Sequence, residues 1–192
     1  AGFQITCIGD DRCYSYLPSR KGNSLSDNVA LHVLKNIDPN FKSYSFLKRG
    51  SDERQYCAPG VDLPIASIMR SKYHEYPEYH TSLDNLDLVT PEGLKGGFMA
   101  LCKAINIIEK NCIPKMTVLC EPQFGRRGLY PTLSSKDNND NVDLMMNFIA
   151  YCDGAKTILE IAEIIGVPVW ELVPIYDLLY EKELVVDCFD DQ

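Results

Sequence analysis

The order of apolar segments along the chain constrains its fold more than any other feature. Before residue 114, strand-like segments at 3–8, 43–47 and 63–68 alternate with helical segments at 24–37 and from residue 90 onward. Helices between successive strands are typical of an α/β layer structure, because each crossover helix covers a face of the sheet. The pattern therefore predicts an α/β domain with a mainly parallel sheet.

Both helical segments carry apolar stripes. Ser26 is the predicted N-cap of the first helix, and Pro91 lies in the first turn of the second. Residues three and four apart share a helix face, so we expect each stripe to face the core and His32, on the flank of the first helix, to face solvent. The stripes comprise Val29, Ala30, Val33, Leu34 and Ile37, and then Phe98, Leu101, Cys102, Ile105 and Ile108.

The pattern changes near Pro114. A strand is predicted at 117–120, a polar linker or loop at 134–141, helices at 142–151, 157–165 and 168–182, and a last strand at 184–188. Three helices with a β element are typical of a winged helix-turn-helix. We therefore predict two domains, residues 1–115 and 116–192.

Charge and hydropathy exclude several classes of partner. The chain of 192 residues has a formal net charge of −8, and residues 116–192 hold 5 Lys or Arg against 14 Asp or Glu. DNA binding requires several basic contacts to phosphate, so we expect no nucleic-acid partner. No apolar run of about 18 residues occurs, so we expect no membrane partner. The winged helix is then expected to serve packing, homo-oligomer formation or another protein interaction, with Trp170 in its core.

Cysteine usage indicates the compartment. The eight cysteines include no Cys-x-x-Cys pair and lie mostly in apolar surroundings, where free cysteine behaves as a small buried hydrophobe. This favours a reduced, cytoplasmic protein.

Candidate chemistry lies between residues 50 and 89. His80 lies in a loop among hydroxyl and carboxylate residues, which could fix its tautomer for metal binding; it could equally be a histidine hydrogen-bonded in a polar loop. Asp52 and Glu53 follow a strand candidate and could bind a cation or a substrate ammonium, or form a solvated turn with Arg54. His74 is predicted to be an exposed loop histidine.

Long segments of the chain resemble a known family. GSDERQYCAPGVDLPIASIMRS, YPEYHTSLDNLDLVTPEGL and the opening FQITCIGDDRCYSYLPSRKGN resemble aminopeptidase-like zinc metallopeptidases related to the aminopeptidase Y group and to glutaminyl cyclases. EPQFGRRGLYPTLS and AYCDGAKTILEIAEIIGVPVWELVPI resemble the winged-helix extension of that family. The resemblance covers almost the whole chain and implies a zinc-exopeptidase-like domain followed by a small winged-helix domain.

The resemblance implies roles for individual residues. His80 followed by Thr81 and Asp84 matches the pattern of the last zinc ligand, which makes His80 a metal ligand and the other two residues supports of its loop. The resemblance also makes Asp52 and Glu53 candidates for the catalytic site, where they would either lie near the metal or bind the amine of the substrate.

Arg54 and Tyr56, on the same segment, are candidates for substrate binding.

Two positions depart from the pattern of the family. Glu53 stands where the superfamily often has His, and Thr6 stands where it commonly has a metal-binding Asp. A single zinc ion is therefore expected rather than two.

A catalytic zinc needs about three protein ligands and a water molecule. The resemblance implies that the remaining ligands and the general base lie upstream, so we expect this chain to be the C-terminal part of a longer protein and to be inactive alone. The expected function of the longer protein is zinc-dependent hydrolysis of a small peptide or aminoacyl-type substrate. The alternative is a non-catalytic aminopeptidase-like scaffold acting in protein interaction, with a possible link to polysaccharide biosynthesis.

Overall fold

The computed structural model describes residues 1–129 and 136–188, with only the backbone given for 136–140. The chain divides into two compact units, Ala1–Glu109 and Lys110–Gln192. Within the described ranges, no helix has both the length and the apolar character needed to cross a bilayer.

The N-terminal unit is an α/β structure built on a four-stranded sheet. The elements are β1 (Gly2–Gln4), β2 (Ser15–Leu17), α1 (Leu25–Ile37), β3 (Lys42–Ser43), α2 (Glu53–Tyr56), β4 (Ile65–Met69) and α3 (Pro91–Lys110). The sheet order is β1-β4-β2-β3; β1 pairs parallel with β4, β4 antiparallel with β2, and β2 parallel with β3. The sheet is therefore mixed, where the sequence predicted a mainly parallel one.

The first helix differs from its prediction at its start and on its flank. Ser24, not Ser26, is the N-cap and forms a capping box with Asp27. Ser26 is buried, and its hydroxyl accepts from the Gly2 amide at 2.8 Å and donates to the Pro64 carbonyl at 2.6 Å. His32 is only 2% exposed, so the solvent-facing prediction was wrong. The buried face of the first helix is therefore wider than its apolar stripe alone predicts.

Asp27 ties the start of this helix to the end of β2. Its carboxylate accepts hydrogen bonds from the hydroxyl of Tyr16 at 2.8 Å, from the amide and hydroxyl of Ser19, and from the amide and hydroxyl of Ser24. Burial by itself raises the pKa of Asp27, but these hydrogen bonds outweigh it and leave the pKa below its ordinary value. The buried carboxylate is therefore ionised and structural.

Small residues set the position of α3. A Cβ on Gly93 would lie 2.1 Å from the Gly9 carbonyl oxygen, and one on Gly97 would lie 2.6 Å from that of Ile8. The helix therefore packs its glycine face against the backbone after β1. Phe98 and Ile105 are 62% and 50% exposed, which contradicts their predicted core positions.

The C-terminal unit has the predicted order of three long helices with a β element. Its strands pair antiparallel, with Met116 opposite Val185. The first strand lies at 114–116 instead of 117–120, with Pro114 opposite Asp187. The elements are β5 (Pro114–Met116), α4 (Phe124–Arg127), α5 (Lys136–Ala150), α6 (Ile158–Ile165), α7 (Val169–Glu181) and β6 (Val185–Asp187).

Two further expectations concern this unit. The predicted linker at 134–141 is helical from residue 136, while residues 134 and 135 lie outside the described ranges. Trp170, expected in the core, is half-buried. The middle helix begins as its sequence indicates, with Thr157 and Glu160 forming a capping box and Gly166 ending the helix at φ 80°.

Candidate functional site

The candidate site is a loop that follows β4 and is dense in aromatic rings. Hydrogen bonds within the loop fix its turn: the Thr81 hydroxyl donates to the Glu78 carbonyl at 2.7 Å and accepts from the Leu83 amide at 3.2 Å. His74 and His80 both adopt left-handed backbone conformations, with φ of 63° and 59°. Such angles are uncommon outside glycine, so the surrounding contacts must hold this loop in place.

His80 is exposed and lies against Tyr79. The two rings stack with centroids 4.0 Å apart and an interplanar angle of 16°. His74 is also exposed, as predicted, and its ring lies 6.4 Å from that of His80. The structure thus presents an imidazole at the surface on an aromatic support.

Thr81 and Asp84 stabilise the loop through contacts with its backbone and with Tyr76. Thr81 binds the loop backbone, and a carboxylate oxygen of Asp84 accepts from the Tyr76 hydroxyl at 3.5 Å. Within the described part of the chain, neither residue is hydrogen-bonded to the imidazole of His80.

Glu53 lies beneath the loop and is completely buried. Its Oε1 accepts from the Gly50 amide at 2.7 Å, the Ser51 amide at 3.0 Å and the Tyr73 hydroxyl at 2.5 Å. Burial by itself raises the pKa of Glu53, but these hydrogen bonds prevail and hold it below the ordinary value. Its Oε2 is buried without a hydrogen-bond partner among the residues described.

Asp52 occupies a different environment from its neighbour. Its side chain is exposed, and one carboxylate oxygen accepts a hydrogen bond from the side-chain Nε2 of Gln4 at 3.5 Å. Arg54 and Tyr56 are exposed on the same short helix. The structure therefore separates the two adjacent carboxylates, since Asp52 can meet a solute directly and Glu53 cannot.

Lys72 adds a buried charge to the base of the loop. Its ammonium donates to the Tyr73 carbonyl at 2.9 Å and lies 3.8 Å from the centroid of the Tyr73 ring and 5.4 Å from that of Tyr44. Burial lowers the pKa of Lys72, in spite of the opposing field of Glu75. The lysine therefore packs chiefly against aromatic rings and backbone.

A shallow cavity of about 210 Å³ lies beside the loop. Arg12 and Glu78 meet there in a two-point ion pair at 2.8 and 3.0 Å, which lowers the pKa of Glu78 to about 2. The remaining lining residues are Leu83, Asn85, Asp87 and Leu88.

A catalytic zinc does not fit the residues described here on their own. Among them, no group of three or more His, Cys, Asp or Glu side chains is arranged to hold a metal ion. His80 could supply one nitrogen ligand, whereas a catalytic site needs about three protein ligands. Any complete zinc site would need ligands from outside this part of the chain.

Sequence reasoning missed the residues that build the base of the loop. Tyr73, Tyr79 and Lys72 were not singled out, although the first two contact the histidines directly. The available signal was the density of rings itself, with five Tyr or His residues between positions 73 and 80. The burial of Gln4, by contrast, could not be predicted, because a polar residue within a predicted strand gives no indication that its side chain is buried.

Comparisons with known proteins divide the chain as the structure does. A family model described as "Domain of unknown function (DUF4910)" matches residues 1–111, and one described as "winged helix-turn-helix" matches residues 112–187.

A curated protein from Clostridium acetobutylicum is 32% identical over 186 residues. It is named "Putative polysaccharide biosynthesis protein with aminopeptidase-like domain", and the match covers 96% of this chain and 43% of that protein. A crystal structure of a "putative peptidase" from the same species matches with a TM-score of 0.83 and 30% identity. That match covers 97% of this chain and 41% of the solved chain, so the chain spans about two fifths of the length of both relatives.

Proposed function

We propose, from the premise that this chain belongs to the DUF4910 family and carries a winged helix-turn-helix, that it is part of a zinc-dependent aminopeptidase-like hydrolase. The solved relative described as a "putative peptidase" supports a peptidase-like scaffold. The observation that carries the proposal is the exposed His80 imidazole, which is stacked on the ring of Tyr79.

In this proposal His80 is a zinc ligand, and the further ligands and the general base lie outside the described residues. Thr81 and Asp84 keep the loop in the conformation that presents the imidazole, through the loop backbone and Tyr76. Zinc and the aminopeptidase Y relationship are inferences from sequence resemblance, and a cytoplasmic location is an inference from cysteine usage.

Asp52 is the carboxylate proposed to bind the substrate's free α-ammonium group. It is exposed, whereas the buried oxygens of Glu53 cannot reach a solute. An ionised carboxylate opposite an ammonium gives a charge-assisted hydrogen bond, which selects substrates with a free amino terminus. Arg54 and Tyr56, exposed on the same helix, are proposed to contact the rest of a small peptide or aminoacyl-type substrate.

Kinetics of the complete native protein, which in this proposal carries the remaining zinc ligands, test the role of Asp52. We expect Asp52→Ala to raise KM for aminoacyl substrates by about 10- to 100-fold, the range for a lost hydrogen bond to a charged group. Asp38→Ala, which removes a half-buried carboxylate at the C-cap of α1, is the control. Unchanged KM and kcat in Asp52→Ala would refute amine recognition at this position. The chain of 192 residues alone is expected to hydrolyse no aminoacyl substrate.

A non-catalytic scaffold is the second candidate, favoured by the lack of a three-ligand cluster among the described residues. The curated relative's name connects that protein with polysaccharide biosynthesis. The native protein would then contain no zinc, and the winged-helix unit would act in protein interaction or homo-oligomer formation. Metal content, measured together with oligomeric state by sedimentation, distinguishes the two candidates.

A further inference from the structure

Tyr79 occupies the centre of the aromatic loop. Four rings surround it: His80 at 4.0 Å, His74 at 4.7 Å, Tyr76 at 5.6 Å and Tyr73 at 6.4 Å between centroids. Only the His80 ring is stacked on it, since the others meet it edge-on or tilted. The Tyr79 ring thus contacts one face of the exposed imidazole directly.

The ring of Tyr79 is fixed from below. It packs against the buried cluster of Leu17, Met69 and Tyr73. The Tyr73 hydroxyl in turn donates to Glu53 and accepts from the Gly50 amide at 2.8 Å. A continuous set of contacts therefore leads from a buried carboxylate to the surface imidazole.

We infer that Tyr79 is a positioning residue, which holds the imidazole of His80 by stacking, and that Glu53 and Tyr73 anchor it rather than contact substrate. A side chain at the surface otherwise samples several rotamers. An aromatic contact of this kind favours the stacked arrangement over the alternatives by about 2- to 12-fold. The functional meaning of this role rests on the proposed function of His80.

The stacking is testable without any metal. The ring protons of His80 are observed by NMR in the chain of 192 residues, in Tyr79→Phe, in Tyr79→Leu and in the control Tyr56→Leu, which removes an exposed ring elsewhere. We expect the ring protons of His80 to be shifted upfield in the wild type, in Tyr79→Phe and in the control. In Tyr79→Leu they should move to the positions of free histidine, while those of the buried His32 stay unchanged.

Two results would overturn the inference. One is a His80 spectrum that is the same in Tyr79→Leu and in the wild type; the other is a spectrum that changes equally in Tyr79→Phe, which keeps the ring. If Tyr79→Leu does not fold, the wild type decides, because stacked rings must show nuclear Overhauser effects between Tyr79 and His80 and their absence refutes the stacking.

The positioning role itself is measured in the native protein. The zinc dissociation constant should rise by about 2- to 12-fold in Tyr79→Leu and stay unchanged in Tyr79→Phe. An unchanged constant in Tyr79→Leu would contradict positioning. A wild type without zinc would instead contradict the proposed function, and the NMR result would still decide the stacking.

Discussion

Replacing Tyr73 with Phe tests how the candidate site is anchored. The change removes the hydroxyl that donates to Glu53 at 2.5 Å and accepts from the Gly50 amide at 2.8 Å. The ring stays, so no cavity forms, and the Gly50 amide keeps its hydrogen bond to Glu53. The loss is therefore one hydrogen bond to a buried carboxylate, which costs about 1.5–3 kcal/mol of unfolding free energy.

Native-state hydrogen exchange measures this loss in the N-terminal unit alone. The protected amides of β4 report global opening of that unit, and their exchange should accelerate roughly 10- to 100-fold in Tyr73→Phe. Tyr56→Phe, at a position that is 44% exposed, is the matched control and should change the free energy by less than about 0.5 kcal/mol. Equal, small effects in both variants would refute the anchoring of the loop through Glu53.

Three further predictions concern acid, packing and DNA. Folding lowers the pKa of Asp27, so its carboxylate stabilises the fold fully above the unfolded pKa of about 3.9, and this stabilisation is lost as the pH falls through the folded pKa. Below about pH 4, the free energy of unfolding should therefore change less steeply with pH in Asp27→Asn than in the wild type. An unchanged slope would contradict this. Gly93→Ala should destabilise by about 1–3 kcal/mol, since the new Cβ would collide with the backbone oxygens of Gly9 and Asp10; Gly96→Ala, whose Cβ meets side-chain atoms of Tyr14 and Arg70 and no backbone, should cost less, and equal urea midpoints would contradict the packing. The acidic winged-helix unit should not retard duplex DNA in a gel at low salt, and a salt-sensitive shift would overturn that expectation.

Periodicity predicted the helices well, because their apolar stripes extend over several turns. The helix α1 lies within a residue of its expected bounds, α3 begins within a residue of its expected start, and the three later helices follow in the expected order. The strand Ser15–Leu17 was missed, since three residues are too few to show alternation. Its insertion antiparallel to β4 makes the sheet mixed.

The errors on the helix faces have a common physical cause. An apolar stripe shows which residues can be buried, but the neighbouring backbone decides which are. Gly93 and Gly97 allow the closest approach, so α3 turns that face inward and leaves Phe98 exposed.

The candidate site was predictable in part. The exposed His74 agreed with the sequence, and the location of His80 in a turn followed from its neighbours. The sequence could not separate Asp52 from Glu53, because adjacent residues differ in burial only through tertiary contacts such as the one with Tyr73.

Metal content of the native protein tests the central claim most directly. Zinc is measured in the wild type, in His80→Ala and in His74→Ala, which removes another exposed histidine from the same loop. If His80 is a ligand, the wild type and His74→Ala bind zinc in a fixed ratio to protein and His80→Ala loses most of it. Zinc retained in full by His80→Ala, or a wild type without zinc, would contradict the account.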